Sequence, residues 1–167
     1  NKNIDIVINC AAYTKVDLAE NETEICYKIN GLGVKNITEI CENEKLKLIH
    51  FSTDYVFDGT SDKPYKESDS TNPINVYGKS KLEGEKHALS LSESLIMRIS
   101  WLYGINGNNF VHTMLNFMKS RDSIKVVNDQ YGSPTNTLDI ANLILHIIKD
   151  IKDFNFGIYH YTNEGNI

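Results

Sequence analysis

Leu46-Lys47-Leu48-Ile49-His50-Phe51, followed without a break by Ser52-Thr53-Asp54, is the stretch on which the fold turns. It is a short, mostly apolar run with a helical pattern on either side, over residues 22–44 before it and 77–91 after it. A strand of that length between two helices reads as one member of a parallel sheet whose faces are both covered. Further such runs stand at 4–9, 94–99, 124–127 and 158–161, with further helical patterns at 109–121 and 138–150. The alternation predicts an α/β chain built of βαβ units. In the helix that begins at Glu22, Ile25, Ile29, Leu32, Val34, Ile37 and Ile40 recur close to the helical period and predict one buried stripe. There is no internal repeat.

Composition narrows the class. The chain has 167 residues and 41% hydrophobic content, enough for one core of ordinary domain size. Its formal charge of -5 is spread through mixed-sign segments with no basic stripe, which argues against a nucleic-acid partner. The run Ile4-Asp5-Ile6-Val7-Ile8 is already broken by an acid, and nothing approaches the roughly 18 apolar residues of a membrane span. The expectation is a soluble, cytoplasmic protein with no membrane partner. Cys10, Cys26 and Cys41 lack CxxC spacing and fall in apolar segments, as buried reduced thiols do. His50, His87, His112, His146 and His160 are scattered singly, so they read as structural or surface histidines and no metal ligand set is assigned. The chain opens at Asn1 in what reads as mid-fold and closes just after the run at 158–161, so both flanks are expected to continue.

Ligands of open parallel sheets bind outside the carboxyl ends of the strands, so the connections that leave those ends carry the functional reading. Three are long and polar: Cys10-Ala11-Ala12-Tyr13-Thr14-Lys15-Val16-Asp17, then Ser52 through Gly59 to Pro73, then Asn128-Asp129-Gln130-Tyr131-Gly132-Ser133-Pro134-Thr135. All three are expected to face one crevice.

Tyr77-Gly78-Lys79-Ser80-Lys81 sets a tyrosine and a lysine four apart at the start of a helix, where they share a face. A phenol with a pKa of about 10 is a poor acid at neutral pH, and a neighbouring ammonium stabilises the phenolate. Such a tyrosine can exchange a proton with a carbonyl or alcohol oxygen while a hydride moves at the carbon. Thr53, at the end of the preceding strand, places a hydroxyl within reach of the same oxygen. The plainer readings are a half-buried Tyr beside a solvated Lys, a loop-capping Thr53, an Asp54 that caps a turn, and Glu83 and Glu85 on a solvated helix face.

A strand ending in Asn-x-Ala-Ala, a strand ending in Ser-Thr and a helix opening with YxxxK together resemble the short-chain dehydrogenase/reductase superfamily, across nearly the whole chain. Five strings narrow the resemblance to the dTDP-4-dehydrorhamnose reductase family. They are Asn9-Cys10-Ala11-Ala12-Tyr13-Thr14, Ser52-Thr53-Asp54-Tyr55-Val56-Phe57-Asp58-Gly59, Tyr77 through Glu85, Arg98-Ile99-Ser100-Trp101-Leu102-Tyr103-Gly104 and Asp129 through Thr135.

The resemblance implies a Rossmann-like doubly wound parallel sheet, incomplete in these residues, with 101–137 and 157–167 contributing to the substrate side. It implies reduction of the C4 keto group of dTDP-4-dehydro-β-L-rhamnose by NADPH or NADH, a step toward cell-surface polysaccharide. Tyr77 would donate the proton, Lys81 would lower its pKa and hold the nicotinamide ribose, and Thr53 would hold the carbonyl, with Asp54 beside it on the sugar. Ala11, Ala12 and Tyr13 would pass close to the cofactor, Thr14 and Val16 would line the sugar side, and Trp101 would wall the sugar-nucleotide pocket. Asn30 matches the asparagine that orders a proton-relay water in that superfamily. Some relatives bridge subunits with Mg²⁺, so a homodimer with an interfacial Mg²⁺ is a further expectation, with no residues assigned.

One feature departs from the pattern. No GxxGxxG turn occurs in the 167 residues, and Gly31-Leu32-Gly33 lies inside a helical pattern. The pyrophosphate of the cofactor would lack its backbone cradle, so a βαβ unit of roughly 50 residues is expected to precede Asn1. Two other readings remain: a related nucleotide-sugar reductase, epimerase or dehydratase, and a non-catalytic regulatory subunit of the methionine adenosyltransferase type. Asp54-Tyr55 differs from the Asp-Glu pair common in the dehydratases.

Overall fold

The computed structural model describes residues 4–165. Along the chain run β1 (Ile6–Asn9), the single turn α1 (Val16–Ala19), α2 (Thr23–Tyr27), α3 (Gly33–Glu44), β2 (Lys47–Thr53), α4 (Val76–Ala88), β3 (Ser94–Ile99), β4 (Leu102–Tyr103), α5 (Phe110–Ser120), β5 (Thr135–Asn136), α6 (Thr137–Lys149) and β6 (Gly157–Tyr161). A π-helical turn, Lys28–Leu32, joins α2 to α3, and a 3₁₀ turn, Asp54–Val56, follows β2. The chain divides into two compact units, residues 1–98 with 155–160 and residues 99–154 with 161–167.

The first unit holds a sheet of order β1-β2-β3-β6. β1 and β2 run parallel, Ile6 opposite Lys47 and Asn9 opposite His50, as the alternation predicts. Leu48, Ile49, His50, Ser52 and Thr53 of β2 are all buried, so both of its faces are covered. Leu48 and Ile96 of the sheet meet Val34, Cys41 and Ala88 of α3 and α4 in one apolar cluster. Burying each large aliphatic side chain there contributes about 1.5–3 kcal/mol. α4 begins at Asn75, whose Oδ1 accepts from Gly78 N at 2.7 Å and satisfies a first-turn donor. Its last turn carries Lys86 and His87, which suits the helix dipole.

Three expectations fail in this unit, in whole or in part. Ile25, Ile29, Leu32 and Ile40 of the expected stripe are exposed; Val34 is buried and Ile37 packs against the core, and Cys26, Asn30, Thr38 and Cys41 make up the rest of the buried face of the α2–α3 rod. That face crosses α4 so closely that a methyl group on Gly84 would overlap the Asn30 carbonyl and crowd Val34, so the crossing takes short side chains. The π turn also shifts the rod by one residue relative to a regular α period. Glu85, on the side of α4 that faces the sheet, is likewise buried and not solvated, and Arg98 of β3 meets it. Cys26 and Cys41 are buried free thiols, whereas Cys10 is exposed because it lies past the end of β1.

In the second unit β4 and β5 form a two-stranded parallel ladder, with Leu102 opposite Thr135 and Tyr103 opposite Asn136. Asn109 and Asn136 cap α5 and α6 through side-chain oxygens, and α6 buries Ile140, Ile144 and Ile147. Residues 124–127 form no strand, and Val126 and Val127 are exposed. A β-branched run becomes a strand only where another strand offers a ladder, and this one has none. The connection after Val127 therefore does not leave a strand end. Among the described residues no helix is long and apolar enough to cross a membrane.

Candidate active site

The carboxyl end of β1 turns sharply. Asn9 Oδ1 accepts from Ala11 N at 3.1 Å, an Asx-type turn that sends Cys10, Ala11 and Ala12 out of the sheet. Tyr13 is then pinned by Asn30, whose Oδ1 accepts from Tyr13 N at 2.8 Å while its Nδ2 donates to Tyr13 O at 3.0 Å. The same Nδ2 donates to Ser80 Oγ at 3.0 Å, and Ser80 donates in turn to the Tyr77 carbonyl at 2.7 Å. Asn30 and Ser80 are fully buried, so this chain ties the connection after β1 to the first turn of α4 without solvent competition. Asn30 spends both amide hydrogens on protein partners, so its side chain clamps the loop. Further on, Glu20 Oε1 accepts from Val76 N at 2.8 Å and fastens the segment carrying Thr14 and Val16 beside the same turn.

Across from it, β2 delivers Thr53. Its hydroxyl donates to Asp54 Oδ1 at 2.9 Å and accepts from Tyr55 N at 3.2 Å, so it caps the 3₁₀ turn while standing beside Tyr77. A methyl group on Gly78 would overlap the Tyr55 carbonyl, which is why glycine follows Tyr77 and how the helix start comes flush with this turn. The rings of Tyr55 and Tyr77 meet edge to face at 5.6 Å. Lys81, four residues on, reaches back to β2 and donates from Nζ to the Phe51 carbonyl at 2.6 Å. Thr53, Asp54, Tyr77 and Lys81 are thus gathered between one strand end and one helix start, with Ala11, Ala12 and Tyr13 held nearby through Asn30 and Ser80.

The electrostatics differ from the expected tuning. The Tyr77 phenol is pushed up to about 12, chiefly by burial; its contact with the Thr53 hydroxyl pulls the other way, and Asp54 and Tyr55 add to the rise. Lys81 is pushed down to about 8 by burial, against the attraction of Glu85. Burial raises the Asp54 carboxyl, and the Thr53 hydroxyl opposes the rise. Tyr77 therefore enters any reaction protonated, as a proton donor must, and the Lys81 ammonium, one helical turn along, holds its charge only up to mildly alkaline pH.

Trp101 lies in the second unit with a positive φ of 45°, a conformation uncommon outside glycine. Its indole packs so closely on Gly132 that no side chain would fit there, and its carbonyl accepts from Thr135 N at 3.1 Å. Among the described residues no group of three His, Cys, Asp or Glu is arranged to hold a metal ion. The sequence reading missed Ser80, Glu85 and Arg98 as supports of the site. Arg98 donates to both oxygens of Glu85, at 2.9 and 2.7 Å, and only the i+4 spacing of Glu85 from Lys81 hinted at it.

The residues present fit the nicotinamide end of a dinucleotide. The buried Lys81 ammonium has three donors, of which Phe51 O takes one, leaving donors that suit a ribose diol. Ala11 is small and exposed past the end of β1, where a flat ring can approach the backbone. The pyrophosphate end has no glycine-rich turn in these 167 residues.

The chain matches the family model described as the RmlD substrate binding domain over residues 1–167. It is 47% identical, over 164 residues, to the dTDP-4-dehydrorhamnose reductase of Aggregatibacter actinomycetemcomitans, a match that covers 96% of this chain and 56% of that protein. The crystal structure of a dTDP-4-dehydrorhamnose reductase from Clostridium acetobutylicum superposes with a TM-score of 0.92 at 45% identity, covering 97% of this chain and 57% of that one. The dTDP-4-dehydrorhamnose reductase of Bacillus anthracis in complex with NADP gives 0.88 at 44% identity, covering 96% and 57%. The chain spans about half the length of the curated relatives it matches.

Proposed function

This chain belongs to the family of the RmlD substrate binding domain, and from that membership we propose that the enzyme built on it is a nucleotide-sugar reductase. It reduces the C4 keto group of dTDP-4-dehydro-β-L-rhamnose with NADPH or NADH, yielding dTDP-L-rhamnose for polysaccharide synthesis. The observation that carries the reading is the convergence of Thr53, Tyr77 and Lys81, with the phenol held protonated by burial. The NADP bound by the Bacillus anthracis relative supports the choice of cofactor class.

When bound, a reduced nicotinamide supplies the hydride for C4 of the sugar. Tyr77 gives its proton to the C4 oxygen, so the carbonyl becomes a secondary alcohol and the phenol becomes a phenolate. Lys81 stabilises that phenolate and also binds the nicotinamide ribose. Thr53 turns its hydroxyl from Asp54 to the substrate oxygen, and Asp54 stays on the sugar side. Ala11, Ala12 and Tyr13 border the cofactor, and Thr14 and Val16 border the nucleotide sugar. Residues 101–137 and 157–167 belong to the substrate side, and a cytoplasmic homodimer completes the reading.

The test is full-length protein mixed with dTDP-4-dehydrorhamnose and NADPH, following nicotinamide absorbance and identifying the sugar product by NMR. Loss of absorbance with formation of dTDP-L-rhamnose is expected. Tight NADPH binding with no turnover of this sugar would redirect the reading to another nucleotide sugar or to a regulatory protein.

A further inference from the structure

His50 sits at the centre of the sheet with no exposed surface, directly opposite Asn9 in the β1–β2 register. Its Nδ1 lies 3.1 Å from Asn9 Nδ2. The direction of that bond is settled by the other end of the amide: Asn9 Oδ1 already accepts from Ala11 N, so Nδ2 is the atom turned toward the ring and His50 Nδ1 is the acceptor. The imidazole is thus neutral, with its proton on Nε2. Nε2 finds no protein partner, and neither does the buried Ser52 Oγ two residues along the strand. A buried donor left unpaired is costly, so an aliphatic residue would serve packing better at this position. Nδ1 is the one ring atom with a polar partner, and that partner fixes the turn that carries Ala11.

We propose that His50 is a positioning residue for the cofactor side of the site. Through Nδ1 it orients the Asn9 carboxamide, and the carboxamide holds the Ala11 amide and the turn past β1 in the conformation that receives the nicotinamide. The significance of Ala11 for cofactor rests on the function proposed above. The linkage from His50 to the Ala11 amide does not.

Two substitutions of similar size separate the role from bulk packing. His50→Asn can place an amide oxygen near the position of Nδ1 and keep an acceptor for Asn9, whereas His50→Leu removes it. In full-length protein, hydrogen exchange of the Ala11 amide is expected to be protected alike in wild type and His50→Asn and to accelerate about tenfold in His50→Leu, the size expected from one lost hydrogen bond. NADPH affinity, read by nicotinamide fluorescence without turnover, is expected to weaken about tenfold in His50→Leu only, with kcat at saturating cofactor nearly unchanged. Equal Ala11 exchange in the Leu and Asn variants overturns the linkage. Faster exchange with unchanged NADPH affinity overturns the cofactor role. A wild type that binds no NADPH at all counts against the proposed function, and the Ala11 exchange still decides the linkage.

Discussion

At the scale of single residues the site is governed by burial. Lys81 is held down to about 8 because the ammonium has been taken out of water, and the reduction proposed above needs that ammonium charged when the phenolate forms. The cation is lost as pH rises through that value, so kcat/KM for the keto sugar is expected to fall on the alkaline side of about 8; a profile flat to pH ~10, near an ordinary lysine, would contradict it. Burial shifts His160 in the same direction, with its consequence on the acid side. Its Nδ1 donates to the Tyr65 carbonyl at 3.2 Å, its Nε2 faces Arg98 Nη1 at 3.4 Å, and burial lowers its pKa. A histidine lowered in the folded state contributes stability above its unfolded pKa and loses it as pH falls through the folded one. Denaturation midpoints should therefore fall on acidification below the usual histidine range, and His160→Gln should remove that part of the dependence. The placing of Tyr77, Lys81 and Thr53 at one strand end and one helix start was legible in the sequence, because it depends on a four-residue spacing and on the position of a strand end. His50, Ser80 and Arg98 were not, because each acts through a contact between residues distant along the chain.

At the scale of elements, the strands and helices follow the hydrophobic periods closely. The run at 46–51 became Lys47–Thr53, and the pattern at 77–91 became Val76–Ala88. The stripe of isoleucines on the α2–α3 rod misled because two features override periodicity there: the π turn at Lys28–Leu32 and the close crossing with α4 at Gly84. The run at 124–127 misled because apolar β-branched composition cannot report whether a partner strand exists. The close crossing is testable. Gly84→Ala drives a methyl group toward the Asn30 carbonyl, and urea denaturation should show a loss of about 1–3 kcal/mol, as overpacking of a tight contact costs. An unchanged midpoint would mean that the rod can move aside freely. The Arg98–Glu85 pair links β3 to α4 with side chains 4% and 1% exposed. Arg98→Met strands a buried carboxylate and is expected to cost about 3–5 kcal/mol, most of it restored when Glu85→Leu is added. A single variant as stable as wild type would refute that reading.

At the scale of the whole molecule, the chain belongs to a family whose members named above are reductases of a nucleotide sugar, and it spans about half of their length. The Rossmann-like α/β class was legible because parallel strands alternate with helices along the sequence. The two-residue ladder of the second unit was not, since strands so short leave no periodic trace. The central claim is that Tyr77 delivers the proton to the C4 oxygen as hydride arrives at C4, and it is tested most directly by one comparison of kinetics. Wild type and Tyr77→Phe, both full-length, are mixed with saturating NADPH and dTDP-4-dehydrorhamnose, and kcat is measured from nicotinamide oxidation. Removing a general acid is expected to lower kcat by about 10²–10⁴-fold, with NADPH affinity little changed. A Tyr77→Phe enzyme that turns over as fast as wild type would contradict the claim.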